Sequence, residues 1–199
     1  MPVLLPYTYM GPVSYYSCIA QHRNIALERH ENFPKQTFRN RCTIYGANGP
    51  LNLIVPVEHR SGERSISDKR ISYSENWQKL HWKSLETAYR SSPFFEYYED
   101  DFLGVLMKKH ELLIDLNAQF MSLILKILDI EVDLSFTSEY KEGFDGLDLR
   151  EDFTPNADLA DKEDFQHYTQ VFEDRHGFLP NLSIADLIFS QGPRSRDYL

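Results

Sequence analysis

The chain opens with the run Val3-Leu4-Leu5, stopped by Pro6, and this short apolar block constrains the fold more than any other feature. It reads as a buried strand. Gly11-Pro12 then opens a helix over Val13–His22, with proline near its first turn. Asn24–Arg29 follows as a second strand, with Ile25 and Leu27 on one face. Strand, helix and strand in this order form a parallel βαβ unit, the start of many α/β folds. The loop Pro6–Gly11 would then lie at the carboxyl end of the first strand, where such folds place ligands.

The next segment adds an antiparallel element. Arg41–Tyr45 and Leu51–Val57 read as strands joined through Gly46-Ala47-Asn48-Gly49-Pro50, with Asn48-Gly49 as the turn signal. Glu58–Lys69 is charged and reads as a loop, and Arg70–Tyr73 as a short strand. Helices are expected over Trp77–Arg90, Phe94–Phe102 and Lys108–Leu128. The last carries a wide apolar stripe of Leu112, Leu113, Leu116, Phe120, Leu123, Ile124 and Ile127, so it packs on the core. Val132–Phe136 reads as a strand and Phe165–Arg175 as a short helix. Ser183 and Asp186 stand at capping-box spacing before a final buried helix that Gly192-Pro193 stops. The expected class is α/β or α+β: a small mixed sheet in the N-terminal half, packed by C-terminal helices.

A length of 199 residues suits one domain, and 42% hydrophobic content supplies a core. The formal net charge is -9, but it is unevenly placed. Glu131–Asp174 holds 14 acids against Lys141, Arg150 and Lys162, leaving 16 acids and 18 bases elsewhere. An irregular loop is expected at about 141–162. The acidic balance argues against nucleic acid as a partner. No run reaches membrane-span length and no N-terminal leader pattern is present, which suggests a cytoplasmic protein with Cys18 and Cys42 as free thiols. No histidine or cysteine spacing suggests a metal, and no motif names a cofactor.

Against the acidic background stands Lys35-Gln36-Thr37-Phe38-Arg39-Asn40-Arg41. If extended, it puts Lys35, Thr37, Arg39 and Arg41 on one face, a strip suited to phosphate or carboxylate. The alternative is the solvated face of an antiparallel strand.

Leu5-Pro6-Tyr7-Thr8-Tyr9-Met10-Gly11-Pro12, the Lys35–Arg41 run, Trp77 with His81-Trp82, Tyr89 with Pro93-Phe94-Phe95, Asp115-Leu116-Asn117, and the stretch from Phe178 to Phe189 with Gly192 follow one another in this order. Together these stretches resemble the WbqC-like protein family. Many members carry His-Gln-Pro before the first tyrosine, whereas here Leu4-Leu5-Pro6 stands there. The resemblance implies a link to bacterial surface-polysaccharide biosynthesis and, for some members, to modification of amino sugars.

The combined expectation is a site for a small anionic metabolite or nucleotide-sugar. Lys35, Arg39 and Arg41 would hold phosphates, with Thr37 and Asn40 adding hydrogen bonds. Tyr7 or Tyr9 would stack on a base or sugar. Trp77 and His81, one helical turn apart, would share a face, with His81 as acid or base in an acyl or aminoacyl transfer. The competing reading makes His81 a packed structural histidine and Asn181 a helix cap. A non-catalytic binding module and an assembly partner using Phe94–Tyr98 are the remaining alternatives, and a homo-oligomer is a further expectation with no interface assigned.

Overall fold

In the computed structural model, β1 (Val3–Pro6) leads through α1 (Val13–Gln21) to β2 (Asn24–Glu28), which pairs with it in parallel from Val3 opposite Ile25 to Pro6 opposite Glu28. The structure describes residues 1–58, 62, 65–155 and 165–199. The hairpin follows as β3 (Arg41–Gly46) and β4 (Gly49–Ile54), with Gly49 at φ +104 supplying the positive φ at the turn. Three helices come next: α2 (Trp77–Tyr89), α3 (Phe95–Met107) and α4 (Leu113–Ile127). Two further strands, β5 (Asp133–Phe136) and β6 (Leu147–Asp148), precede α5 (Glu173–His176) and α6 (Ile184–Gln191). The fold is therefore the expected mixture of a small parallel sheet, an antiparallel hairpin and C-terminal helices.

The parallel sheet runs in the order β5-β2-β1-β6. Chain order reverses at β1, which has β2 on one side and β6 on the other. Period-two alternation divides its faces. Val3, Leu5, Ile25 and Leu27 enter the main core. Leu4 and Ala26 point the other way and line a cavity of about 470 Å³ that is also bordered by Phe136, Thr137 and Phe144. On the core side, α4 buries Leu113, Leu116, Phe120 and Ile124 at helical spacing. Every residue of α6 except Gln191 is buried, so this helix is a core element rather than a surface one.

Several local expectations are corrected. Lys35–Arg41 is not extended: it forms a turn with Gln36 at φ 51, and the strand begins only at Arg41. Arg70–Tyr73 forms isolated bridges, Arg70 with Leu112 and Ile71 with Val57. The helix expected over Phe165–Arg175 shrinks to α5. β6 arises inside the stretch expected to be irregular, while the 156–162 part of that stretch lies outside the described residues, as does His59. Ser183 caps α6 by accepting from the Ala185 amide, but Asp186 makes no reciprocal bond, because the Ser183 amide is given to the Thr43 carbonyl. No helix among the described residues is long and apolar enough to cross a membrane.

Candidate functional site

The carboxyl ends of the parallel strands carry a dense polar cluster. Glu28 closes β2 and is buried. Its carboxylate accepts from the His30 amide at 2.7 Å, the Thr137 hydroxyl at 2.9 Å and Arg150 Nη1 at 3.2 Å. Arg150, just past β6, also forks onto Asp148 through Nε and Nη2, and its guanidinium lies 4.9 Å from the centre of the Tyr140 ring. Hydrogen bonds from Arg150 hold the Asp148 carboxyl below its usual range. A second buried pair stands beside the first: Arg39 clasps Glu31 through Nε at 2.6 Å and Nη2 at 2.5 Å. Arg39 also donates to Thr37 Oγ1 and to the Arg150 carbonyl. Of these groups, Glu31, Asp148 and Arg150 border an open cleft of about 460 Å³ whose walls also include Asn32, Tyr140, Glu142 and Glu151. Acids outnumber cations in its lining, and it sits where open parallel sheets hold ligands, outside the strand ends at a reversal of chain order.

The expected residues do not assemble into one site. Arg39 and Thr37 are 1% exposed and spend their polar atoms on Glu31 and on each other. Asn40 is buried and donates to the Val55 carbonyl. Lys35 is exposed, one residue beyond the cleft-lining Pro34. Tyr7 follows β1, is 3% exposed and stacks on Phe136 at 6.4 Å. Burial pushes its phenol up to about 12.

Arg41, Trp77 and His81 belong to a different region. Arg41 faces Ile54 across the hairpin and its Nε has no hydrogen-bond partner. Ile54, Trp77 and His81 line a groove of about 480 Å³ between β4 and α2. Trp77 and His81 do share a helix face, with ring centres 5.1 Å apart. His81 is 2% exposed, and both ring nitrogens are engaged: Nε2 with the Ile54 carbonyl at 3.2 Å and Nδ1 with the Tyr9 hydroxyl at 2.9 Å. A carbonyl can only accept, so the proton sits on Nε2 and the Tyr9 hydroxyl donates to Nδ1. Burial lowers the His81 pKa to about 4. His81 is thus neutral with no free nitrogen in this arrangement.

The loop after β1 is equally committed. The Val13, Ser14 and Tyr15 amides at the start of α1 donate to the Leu182 carbonyl, Asn181 Oδ1 and the Pro12 carbonyl. A phosphate finds none of these donors free. Asn181 is a cap, but of α1 rather than of its own neighbouring helix. It holds φ 58 to reach there.

Sequence reasoning missed Glu28, Glu31, Asp148, Arg150 and Tyr140. Two signals were available. Glu28 directly follows the apolar run Ile25-Ala26-Leu27, and Arg150 is one of only three bases in the acidic segment. Among the described residues, no group of histidine, cysteine or carboxylate side chains is arranged to hold a metal ion.

Comparison with known proteins gives a sparse picture. No solved structure matches the chain. A Mycobacterium tuberculosis (strain ATCC 25618 / H37Rv) protein named "Uncharacterized protein Rv1507c" is 24% identical over 219 aligned positions, covering 93% of this chain and 91% of that protein. A profile of the WbqC-like protein family matches residues 2–152, which include the parallel sheet, the hairpin and the polar cluster, and the chain therefore belongs to the WbqC-like protein family.

Proposed function

We propose that the protein binds an amino sugar carried on a nucleotide, with the sugar in the cleft at the strand ends. The observation carrying this reading is the cleft lining: Glu142, Asp148 and Glu151 supply acceptors, Arg150 holds Asp148 in place and Tyr140 supplies an aromatic wall. Carboxylates and an aromatic face suit hydroxyl and ammonium groups, and Asp148 is kept ionised by Arg150. Lys35, exposed and next in sequence to the cleft-lining Pro34, is the cation best placed by sequence for the phosphates, because Arg39 is already neutralised by Glu31.

Acyl or aminoacyl modification of the sugar amine is the reaction that the family's link to surface polysaccharide suggests. His81 takes no part in it in this arrangement, since both its nitrogens are occupied and it lies in the groove between β4 and α2, apart from the cleft. That occupancy favours a second reading, in which the protein binds the sugar without turning it over.

Calorimetric titration with a nucleotide-linked amino sugar, its N-acetylated counterpart and the free nucleotide tests the proposal. The free amine should bind about tenfold tighter than the N-acetyl form, equivalent to about 1.4 kcal/mol. Asp148→Asn should erase that preference. Equal binding of the two sugars would overturn the reading.

A further inference from the structure

The two outer edges of the β3–β4 hairpin differ. The Val55 amide donates to the Asn40 carbonyl, which fixes the alternation of the ladder. Arg41–Ile54, Thr43–Asn52 and Tyr45–Pro50 are then the pairs whose backbone groups point outward. On the β3 side, two of these groups have partners within the chain: the Thr43 carbonyl accepts from the Ser183 amide, and the Tyr45 amide donates to the Tyr89 hydroxyl. On the β4 side, only the Ile54 carbonyl is taken, by His81 Nε2. The Asn52 amide and carbonyl, the Ile54 amide and the Pro50 carbonyl have no partner among the described residues.

We propose that β4 pairs with β4 of a second copy of this chain, antiparallel about a two-fold axis at Asn52. The donor and acceptor pattern is self-complementary in this register. Asn52 exchanges both its bonds with the partner's Asn52. Each Ile54 amide then meets the partner's Pro50 carbonyl. Proline lacks an N–H, and the group that would need one, the Ile54 carbonyl, is the one His81 already satisfies. No outward group between Pro50 and Ile54 is left over, as a closed isologous contact requires.

The side chains agree with this edge. Leu51 and Ile54 are 40% and 45% exposed, and Leu80 on α2, beside the groove, is 65% exposed. In the two-fold register, Leu51 lies opposite the partner's Leu53 and Ile54 opposite the partner's Pro50. Apolar cross-strand pairs stabilise such contacts. The edge carries no charged side chain from Gly49 to Ile54; of the devices that keep exposed edges apart it has Pro50, whose position this register accommodates, and the His81 ring of α2 on the Ile54 carbonyl, where this register needs no donor.

Analytical ultracentrifugation of the whole chain tests the pairing. The wild type should sediment as a dimer. Asn52→Pro removes an amide the hairpin itself does not use, and should shift the equilibrium to monomer at least a hundredfold with an unchanged circular dichroism spectrum. Ile54→Lys places two like charges near the axis and should do the same, which covers the case of a misfolded proline variant. In a Cys18→Ser background, Asn52→Cys should cross-link to its own copy on oxidation, since residues opposite in such a pair stand at disulfide distance. A wild type monomeric throughout the accessible concentrations would overturn the proposal. So would a dimer that survives Ile54→Lys or fails to cross-link through Asn52→Cys.

Discussion

The Arg39–Glu31 and Arg150–Glu28 cluster at the strand ends and the His81–Tyr9 pair beneath the hairpin are both buried polar constructions, yet they solve burial differently. The first keeps its charges and neutralises each by an opposite charge in direct contact. The second stays neutral, with burial lowering the His81 pKa to about 4. Charged clusters retain strong fields and open onto solvent, as the cleft beside Arg150 does. A neutral, fully bonded pair holds two elements together and leaves nothing for a ligand. The lesson is that a residue's type names its chemistry, and its partners decide whether that chemistry is available.

The largest expected effect strikes the charged cluster. Arg39→Ala leaves Glu31 buried without its counter-ion and should cost about 3–5 kcal/mol in urea unfolding. Arg39→Met combined with Glu31→Leu should lose less than either single change, because no charge is then stranded. A double variant as unstable as the sum of the singles would break the comparison.

The neutral pair is exposed by pH. His81 has a folded pKa of about 4, below its ordinary 6.5, so its contribution is whole above pH 6.5 and is lost as pH falls toward 4. Asp186 on α6 has the opposite sign. It is fully buried, Tyr168 and Gln170 donate to its Oδ2, and burial raises its pKa from 3.8 to about 6. Its stability is therefore whole below pH 4 and lost as pH rises through 6. Each effect is worth about 3 kcal/mol at 1.4 kcal/mol per pH unit, so the two nearly cancel between pH 4 and 6. Asp186→Asn should uncover the His81 dependence, with stability falling relative to wild type by about 3 kcal/mol as pH drops from 6 to 4. Parallel curves for the two proteins would remove Asp186 from the account.

Arg150→Lys keeps the charge but loses the fork between Glu28 and Asp148. It should lower stability by about 2 kcal/mol and abolish sugar binding by calorimetry. Smallest of all is Lys35→Ala. Its stability should stay within about 0.5 kcal/mol of wild type, while binding of the phosphate-bearing ligand weakens and loses part of its salt dependence.

Much of the architecture was legible from local pattern. Val3-Leu4-Leu5, the α1 stretch and Ile25-Ala26-Leu27 carry strand and helix periods that the parallel unit only had to assemble. Asn48-Gly49 marked the hairpin turn, although Gly49 alone holds the positive φ. The candidate site was far less legible. The cationic run around Arg39 read as free because alternation was assumed to continue, and nothing within Lys35–Arg41 reveals that Glu31 would fold back against it. Asn181 shows the same limit: its preference for caps was readable, but the helix it caps begins 168 positions earlier, at Val13.

The sequence by itself determined the opening strand-helix-strand unit, the hairpin and the main helices, the buried stripe of α4, the concentration of acid after Glu131 and the membership of a family. Those follow from spacing and composition, which are local quantities. Only the tertiary structure decided which charges are spent and which are free. It paired Arg39 with Glu31 and Arg150 with Glu28, filled both nitrogens of His81, plugged the start of α1 with residues 181 and 182, and left the outer edge of β4 open. The physical reason is distance along the chain. Electrostatic and hydrogen-bond partners from residues far apart meet only when the core brings their strands and helices together, and no local period encodes that meeting.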